Sequence, residues 1–143
     1  CRALWSESSA DVADQSRGGY PKAPVAAEGR AVQLLRECPN LYGDLSAGSG
    51  YNAISRDPEF GYRFLTEFQD RLCFGTDVCA PSNRQDVLVW LAGFLRQALA
   101  GGKIAQSVFD KVTHDNAARL LGLAPATRGE GQWQPGAPGG SGR

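Results

Sequence analysis

Two short apolar runs, Leu41–Ser46 and Leu72–Phe74, each lead into glycine and polar residues, with a helical pattern between them. Strand-like runs that alternate with helices at short intervals join as parallel neighbours, because the helix carries the chain back to the starting edge. The first run is followed by Ala47-Gly48-Ser49-Gly50, which reads as a glycine-rich turn, and the second by Gly75-Thr76-Asp77, which reads as a loop. Between them, Asp57-Pro58-Glu59 predicts a helix start. Asp57 can accept from free amides, Pro58 suits the first helical position, and Glu59 meets the positive end of the dipole. Phe60, Phe64, Leu65 and Phe68 form that helix's apolar stripe. Upstream, Ala31, Val32, Leu34, Leu35 and Cys38 predict a helix that Pro39-Asn40 stops. Downstream, Val87, Leu88, Leu91, Ala92, Leu95 and Leu99 predict the longest helix, stopped by Gly101-Gly102. Ile104, Val108 and Val112 open another, and Asp115–Leu121 forms a short last one ending at Gly122. The expected class is α/β with a parallel sheet. Two strands are too few for a complete domain of that kind, since parallel strands need both faces covered.

The flanks add little to a core. Residues 1–27 lack a period and read as a long loop with a short helix near Ala10–Asp14. Ala124–Arg143 is rich in glycine and proline and is expected to be a disordered tail, which leaves 1–123 as the folding part. Lysine plus arginine equals aspartate plus glutamate at 15 each, so no basic surplus points to nucleic acid or an anionic membrane. No apolar run approaches the roughly 18 residues of a membrane span, and Cys1-Arg2-Ala3-Leu4-Trp5 is not a signal peptide. The 143 residues contain no methionine, so the expectation is a chain processed or cut from something longer. Cys1, Cys38, Cys73 and Cys79 show no C-x-x-C spacing, and they read as reduced thiols of a cytoplasmic protein.

Asp77 is the leading candidate for chemistry. It follows Cys73-Phe74-Gly75-Thr76, at the carboxyl end of an expected parallel strand, where α/β sheets bind ligands. A carboxylate there can bind a metal or act as a general base. It can equally cap the following segment or bond to loop amides. Alternation places Cys73, Gly75 and Asp77 on one face. Asp44 and Ser46 share a face of the first strand and either contact a substrate or satisfy neighbouring backbone groups. Ala47–Gly50 lacks the Lys-Ser/Thr of a P-loop and the full G-x-G-x-x-G, so a flexible loop is expected rather than a phosphate cradle. His114, the single histidine, reads as a helix-end or surface residue.

Three stretches carry a family resemblance: Cys38-Pro39-Asn40-Leu41-Tyr42-Gly43-Asp44-Leu45-Ser46-Ala47-Gly48-Ser49-Gly50-Tyr51-Asn52-Ala53, Arg56–Gly61, and Phe68–Asp77. With Asn116-Ala117-Ala118-Arg119-Leu120-Leu121-Gly122-Leu123, they resemble the C-terminal part of a metal-dependent amidohydrolase of the TIM-barrel type. The most specific pair is Phe74-Gly75-Thr76-Asp77 with the closing Asn-x-x-Arg-Leu-Leu helix. The resemblance implies that 1–123 is an incomplete C-terminal portion of a (β/α)8 barrel, with Leu41–Ser46 as strand seven and Leu72–Asp77 as strand eight. It implies a hydrolase or decarboxylase acting on a small organic acid, ester, lactone or amide. Asp77 would be the strand-eight metal ligand or general base, with Asp44, Ser46 and Trp5 against the substrate. The implied cofactor is a divalent metal, zinc first, held mainly by histidines of an N-terminal His-x-His and middle strands. Those histidines are absent here, so this chain alone is expected neither to hold zinc stably nor to be active. The implied partners are a small-molecule substrate and the missing N-terminal barrel half, with no nucleic acid and no membrane, and an oligomer is compatible with all of this. The competing reading is a non-enzymatic α/β interaction module or a remnant.

Overall fold

Asp57 shows how local chemistry sets this fold. Its Oδ1 accepts the amide of Phe60 at 3.2 Å, capping the helix that Pro58 opens, and its Oδ2 accepts the amide of Val25 at 3.1 Å, tying in the preceding loop. The computed structural model describes residues 5–10 and 19–123, without the side chains of 83–89. The expected tail Ala124–Arg143 and most of the expected helix at Ala10–Asp14 lie outside the described residues.

Helix α1 spans Arg30–Glu37, strand β1 Gly43–Asp44, helix α2 Ala47–Ser55, helix α3 Pro58–Glu67 and strand β2 Leu72–Cys73. A 3-10 turn, Pro81–Asn83, then runs directly into α4, Arg84–Ala100. The short α5, Gln106–Asp110, passes through a π-turn, Lys111–Asp115, into α6, Asn116–Leu120. The two strands pair in parallel, Gly43 opposite Leu72 and Asp44 opposite Cys73. The mixed α/β class therefore holds.

Several expected boundaries move. Leu41–Ser46 contracts to Gly43–Asp44, because Ser46 leaves the ladder to become the residue before α2. Ala47–Gly50 is not a flexible loop but the first turn of α2, with Ser49 and Gly50 buried. A methyl group on Gly50 would land on the carbonyl of Leu45, so glycine there lets the helix lie close on β1. Leu72–Asp77 likewise contracts to Leu72–Cys73. The expected helix at Ile104 begins at Gln106.

One face of the strand pair is covered. Leu45 and Leu72 are fully buried among Val32, Phe64 and Phe68, and α4 adds Leu91 and Leu95. Phe60, Phe64 and Phe68, on successive turns of the α3 stripe, have ring centroids 5.6 and 5.0 Å apart along the series. Such aromatic pairs contribute beyond the area they bury. Arg36 of α1 reaches both Glu28 and Glu67, pinning α1 to the end of α3. The other strand face carries exposed Asp44 and half-buried Cys73. That open face is what positions the candidate site.

Candidate active site at the carboxyl ends of the strands

The carboxylate of Asp44 folds back on its own chain. Oδ1 accepts the Ser46 amide at 2.8 Å and Oδ2 accepts the Ser46 hydroxyl at 3.0 Å. Asp makes such turns because its short side chain reaches an amide two residues on. The turn ends β1 and starts α2, and its exit residue Ala47 lies in the left-handed region at φ 63°. After β2, Asp77 lies there too, at φ 54°. These two are the non-glycine residues with positive φ among the described residues, one after each strand. Asp adopts this region more readily than most residues, whereas Ala pays a steric cost for its Cβ. Strain of this kind collects at functional sites.

Gly75 joins the two strand ends. A Cβ on it would lie 2.7 Å from Asp44 Oδ1 and 2.9 Å from Ser46 Cβ. Only a residue without a side chain lets β2 leave the sheet against the Asp44–Ser46 turn. The structure thus brings Asp44, Ser46 and Gly75 into one group, and Asp77 follows Gly75 by two residues. Cys73 sits beside Asp44 in the ladder. Burial pushes its thiol up, the Asp44 charge adds to that, and Arg119 opposes both. A thiol raised in this way is a poor nucleophile.

Trp5 lies elsewhere. It is buried, its ring meets Phe64 edge-on at 6.1 Å, and it contacts the Gly43 side of β1. Its link to Asp44 runs through the backbone, the indole Nε1 donating to the Asp44 carbonyl at 2.9 Å. With Leu34, Leu35, Leu41 and Tyr42 it lines an apolar cavity of about 30 Å³. That is the space of about one water. His114 is on the π-turn, exposed, with Nδ1 2.9 Å from Asp115 Oδ1, and it joins none of these groups.

Among the described residues, no three His, Cys, Asp or Glu side chains gather as a metal site. A catalytic zinc takes three protein ligands and an open position. The donors among the described residues do not by themselves fit a resident metal. No described helix is long and apolar enough to cross a membrane. Gly75 was legible only as a small residue in the strand pattern, and nothing in the sequence marked its contact with Asp44.

A family model described as amidohydrolase matches residues 18–123. No curated protein matches the chain. No solved structure matches it either.

Proposed function

Because this chain belongs to the amidohydrolase family, we propose that it supplies the last two strands of a hydrolase or lyase barrel, with Asp77 as the catalytic carboxylate. One observation supports this reading above the others. Two adjacent parallel strands end together, and a residue in the left-handed region follows each, Ala47 after β1 and Asp77 after β2. Ligand sites of α/β sheets lie at that end. In hydrolysis Asp77 takes the proton of the attacking water and returns it to the leaving group. In decarboxylation the protonated Asp77 carboxyl delivers its proton to the carbon that keeps the electron pair of the broken bond as carbon dioxide leaves, and it is protonated again from water. The Ser46 hydroxyl, its proton directed to Asp44, offers its remaining lone pairs to a substrate donor. The substrate class is a small organic acid, ester, lactone or amide.

The family is generally metal-dependent. The ligand set that such chemistry needs is assigned to a preceding barrel half, which acts as the partner of this chain. The test uses the intact barrel containing this chain and a panel of small amides, esters, lactones and acids. Asp77→Asn keeps a residue that tolerates positive φ, and so removes the base without the strain that alanine would bring. The expected result is a fall in kcat of roughly 10²–10⁴-fold, the usual worth of a general base, with an unchanged unfolding midpoint. Unchanged turnover would remove Asp77 from the chemistry. No turnover of any panel member by the unmodified protein would favour an interaction module instead.

A further inference from the structure

Residues 20–25 form a strap along one face of α2. Gly48, Asn52 and Arg56 recur at every fourth position, so they share that face, and the strap meets them in order. Tyr20 packs on Gly48, where an added Cβ would lie 3.1 Å from the Tyr20 Oη and 3.4 Å from its Cζ. Asn52 Nδ2 donates to the Pro21 carbonyl at 3.1 Å, and Arg56 Nη1 donates to the Ala23 carbonyl at 3.3 Å. Asp57 then accepts the Val25 amide at 3.1 Å. These bonds fix the direction of the strap, so Tyr20 stands at the first turn of α2 rather than at its far end.

That first turn begins where β1 ends. Ser46, held by Asp44 through its amide and hydroxyl, directly precedes α2. Two residues of chain, spanning at most about 7 Å, separate it from Gly48. Gly75, at the exit of β2, lies against the same Asp44–Ser46 turn. Tyr20 is 48% exposed, so nearly half of its surface is open beside this group. Val78, next after Asp77, is exposed as well, whereas exposed Leu41 and Tyr42 lie at the entry of β1, away from the strand exits. Small-molecule sites combine a few polar groups that orient the ligand with apolar walls that bound it.

The geometry points to Tyr20 as a specificity-determining residue, its ring walling the mouth of the site and bounding the part of the substrate remote from the reacting bond. The inference rests on the proposed site at the strand ends. The hydroxyl is the atom turned closest to Gly48, which leaves the ring for the substrate. Asn52 is a positioning residue, acting through the strap.

The test uses the intact barrel containing this chain and a panel of esters and amides with short and longer acyl groups. Tyr20→Ala should raise KM for the short members about tenfold, the worth of about 55 Å² of lost apolar contact, with kcat and the unfolding midpoint held. It should also move the order of kcat/KM toward the longer members. Tyr20→Trp, which extends the wall, should move that order the other way, and Tyr20→Phe should keep the unmodified pattern. Asn52→Ala should relax the order in the direction of Tyr20→Ala without reaching it. A general loss of folding would not move the order in opposite directions. A second readout needs no turnover. Nitration by tetranitromethane, mapped by peptide mass in the Asp77→Asn protein, should slow at Tyr20 on the order of threefold with a panel member present, as a ligand covers the ring, and stay unchanged at Tyr42. Protection and a shifted size order in company with a fully active Asp77→Asn protein would keep Tyr20 and remove Asp77. An inactive Asp77→Asn protein with an unshifted order in the Tyr20 variants would keep Asp77 and remove Tyr20. Protection without any turnover would support the Tyr20 wall and count against an enzyme. No protection by any panel member, or an unshifted order in both Tyr20→Ala and Tyr20→Trp, would overturn the inference.

Discussion

Replacing Gly75 with alanine tests whether the two strand ends form one group. The new Cβ would sit 2.7 Å from Asp44 Oδ1 and 2.9 Å from Ser46 Cβ, where ordinary contacts begin near 3.4 Å. Asp44 cannot swing away freely, because that oxygen holds the Ser46 amide at 2.8 Å. Either the carboxylate gives up that bond, at about 1.5–3 kcal/mol for a charged acceptor, or the strand ends shift at a similar overpacking cost of about 1–3 kcal/mol. The lower chain entropy of unfolded alanine offsets about 0.4–1 kcal/mol of this. The expected net loss is about 1–2 kcal/mol, read as a drop in urea midpoint at constant slope. The decisive comparison is a double-mutant cycle with Asp44→Ala. Removing the carboxylate first should cut the cost of Gly75→Ala by about 1 kcal/mol, since the closest clash is then gone and only Ser46 Cβ remains. A Gly75→Ala cost that is the same in both backgrounds would refute the close approach, as would a cost near zero in the unmodified one.

Three further outcomes follow from separate parts of the molecule. Gly61→Ala should cost about 3 kcal/mol or leave the chain unfolded, because the added carbon would land on the Ile54 backbone carbonyl where α3 crosses α2; a two-state urea curve within about 1 kcal/mol of the unmodified chain would contradict this. Arg36 holds the Glu67 carboxyl below its ordinary 4.5. A carboxyl lowered on folding adds stability that is complete above the ordinary value and is lost as pH falls through the folded one. Arg36→Leu should therefore remove part of the acid-side loss in a urea-midpoint series, by less than about 1 kcal/mol for so exposed a pair, and an identical pH profile would argue against the contact. Burial and then the Asp44 charge push the Cys73 thiol up. Cys73 should accordingly react with iodoacetamide after exposed Cys79, and Asp44→Asn should move the Cys73 reaction to lower pH; an unmoved profile would separate the two residues.

How much was legible differed between helices and strands for a physical reason. A helix carries its start and stop in neighbouring residues, so Asp57-Pro58-Glu59, Gly101-Gly102 and Gly122 fixed three ends closely. Gly102 and Gly122 both take φ +65°, the left-handed geometry that ends a helix. Strand ends depend on partners far along the chain. Polarity alternation in Leu41–Ser46 says which side chains share a face, but Ser46 leaves the ladder because Asp44 captures its amide. Ala47–Gly50 looked like a loop because glycine is a weak helix former. Packing against Leu45 overrides that preference. For the candidate site, the face shared by Asp44 and Ser46 was readable, whereas Gly75 as their neighbour was not, since contact between strands leaves no local mark.

The C-terminal motif shows why two distant pieces of the sequence read together. Asn116 lies 47 and 44 residues from its carbonyl partners Gln69 and Leu72. A buried site with two carbonyls 2.6 and 2.8 Å from one nitrogen needs a donor with two hydrogens on a short stem. Asp lacks the donor, and Gln adds a methylene where Asn116 is already 1% exposed. The amide oxygen left over then needs a donor of its own, and Arg119 supplies it at 3.2 Å from the position three residues on. Residues three apart share a helix face, which is what the Asn-x-x-Arg spacing provides. Arg119 also takes the Asp70 carbonyl, so one short helix satisfies three acceptors at the entry to β2, the carbonyls of Gln69, Asp70 and Leu72. The Asn-x-x-Arg helix and the strand that leads to Asp77 are thus two halves of one contact, and a change in either should be felt at the other.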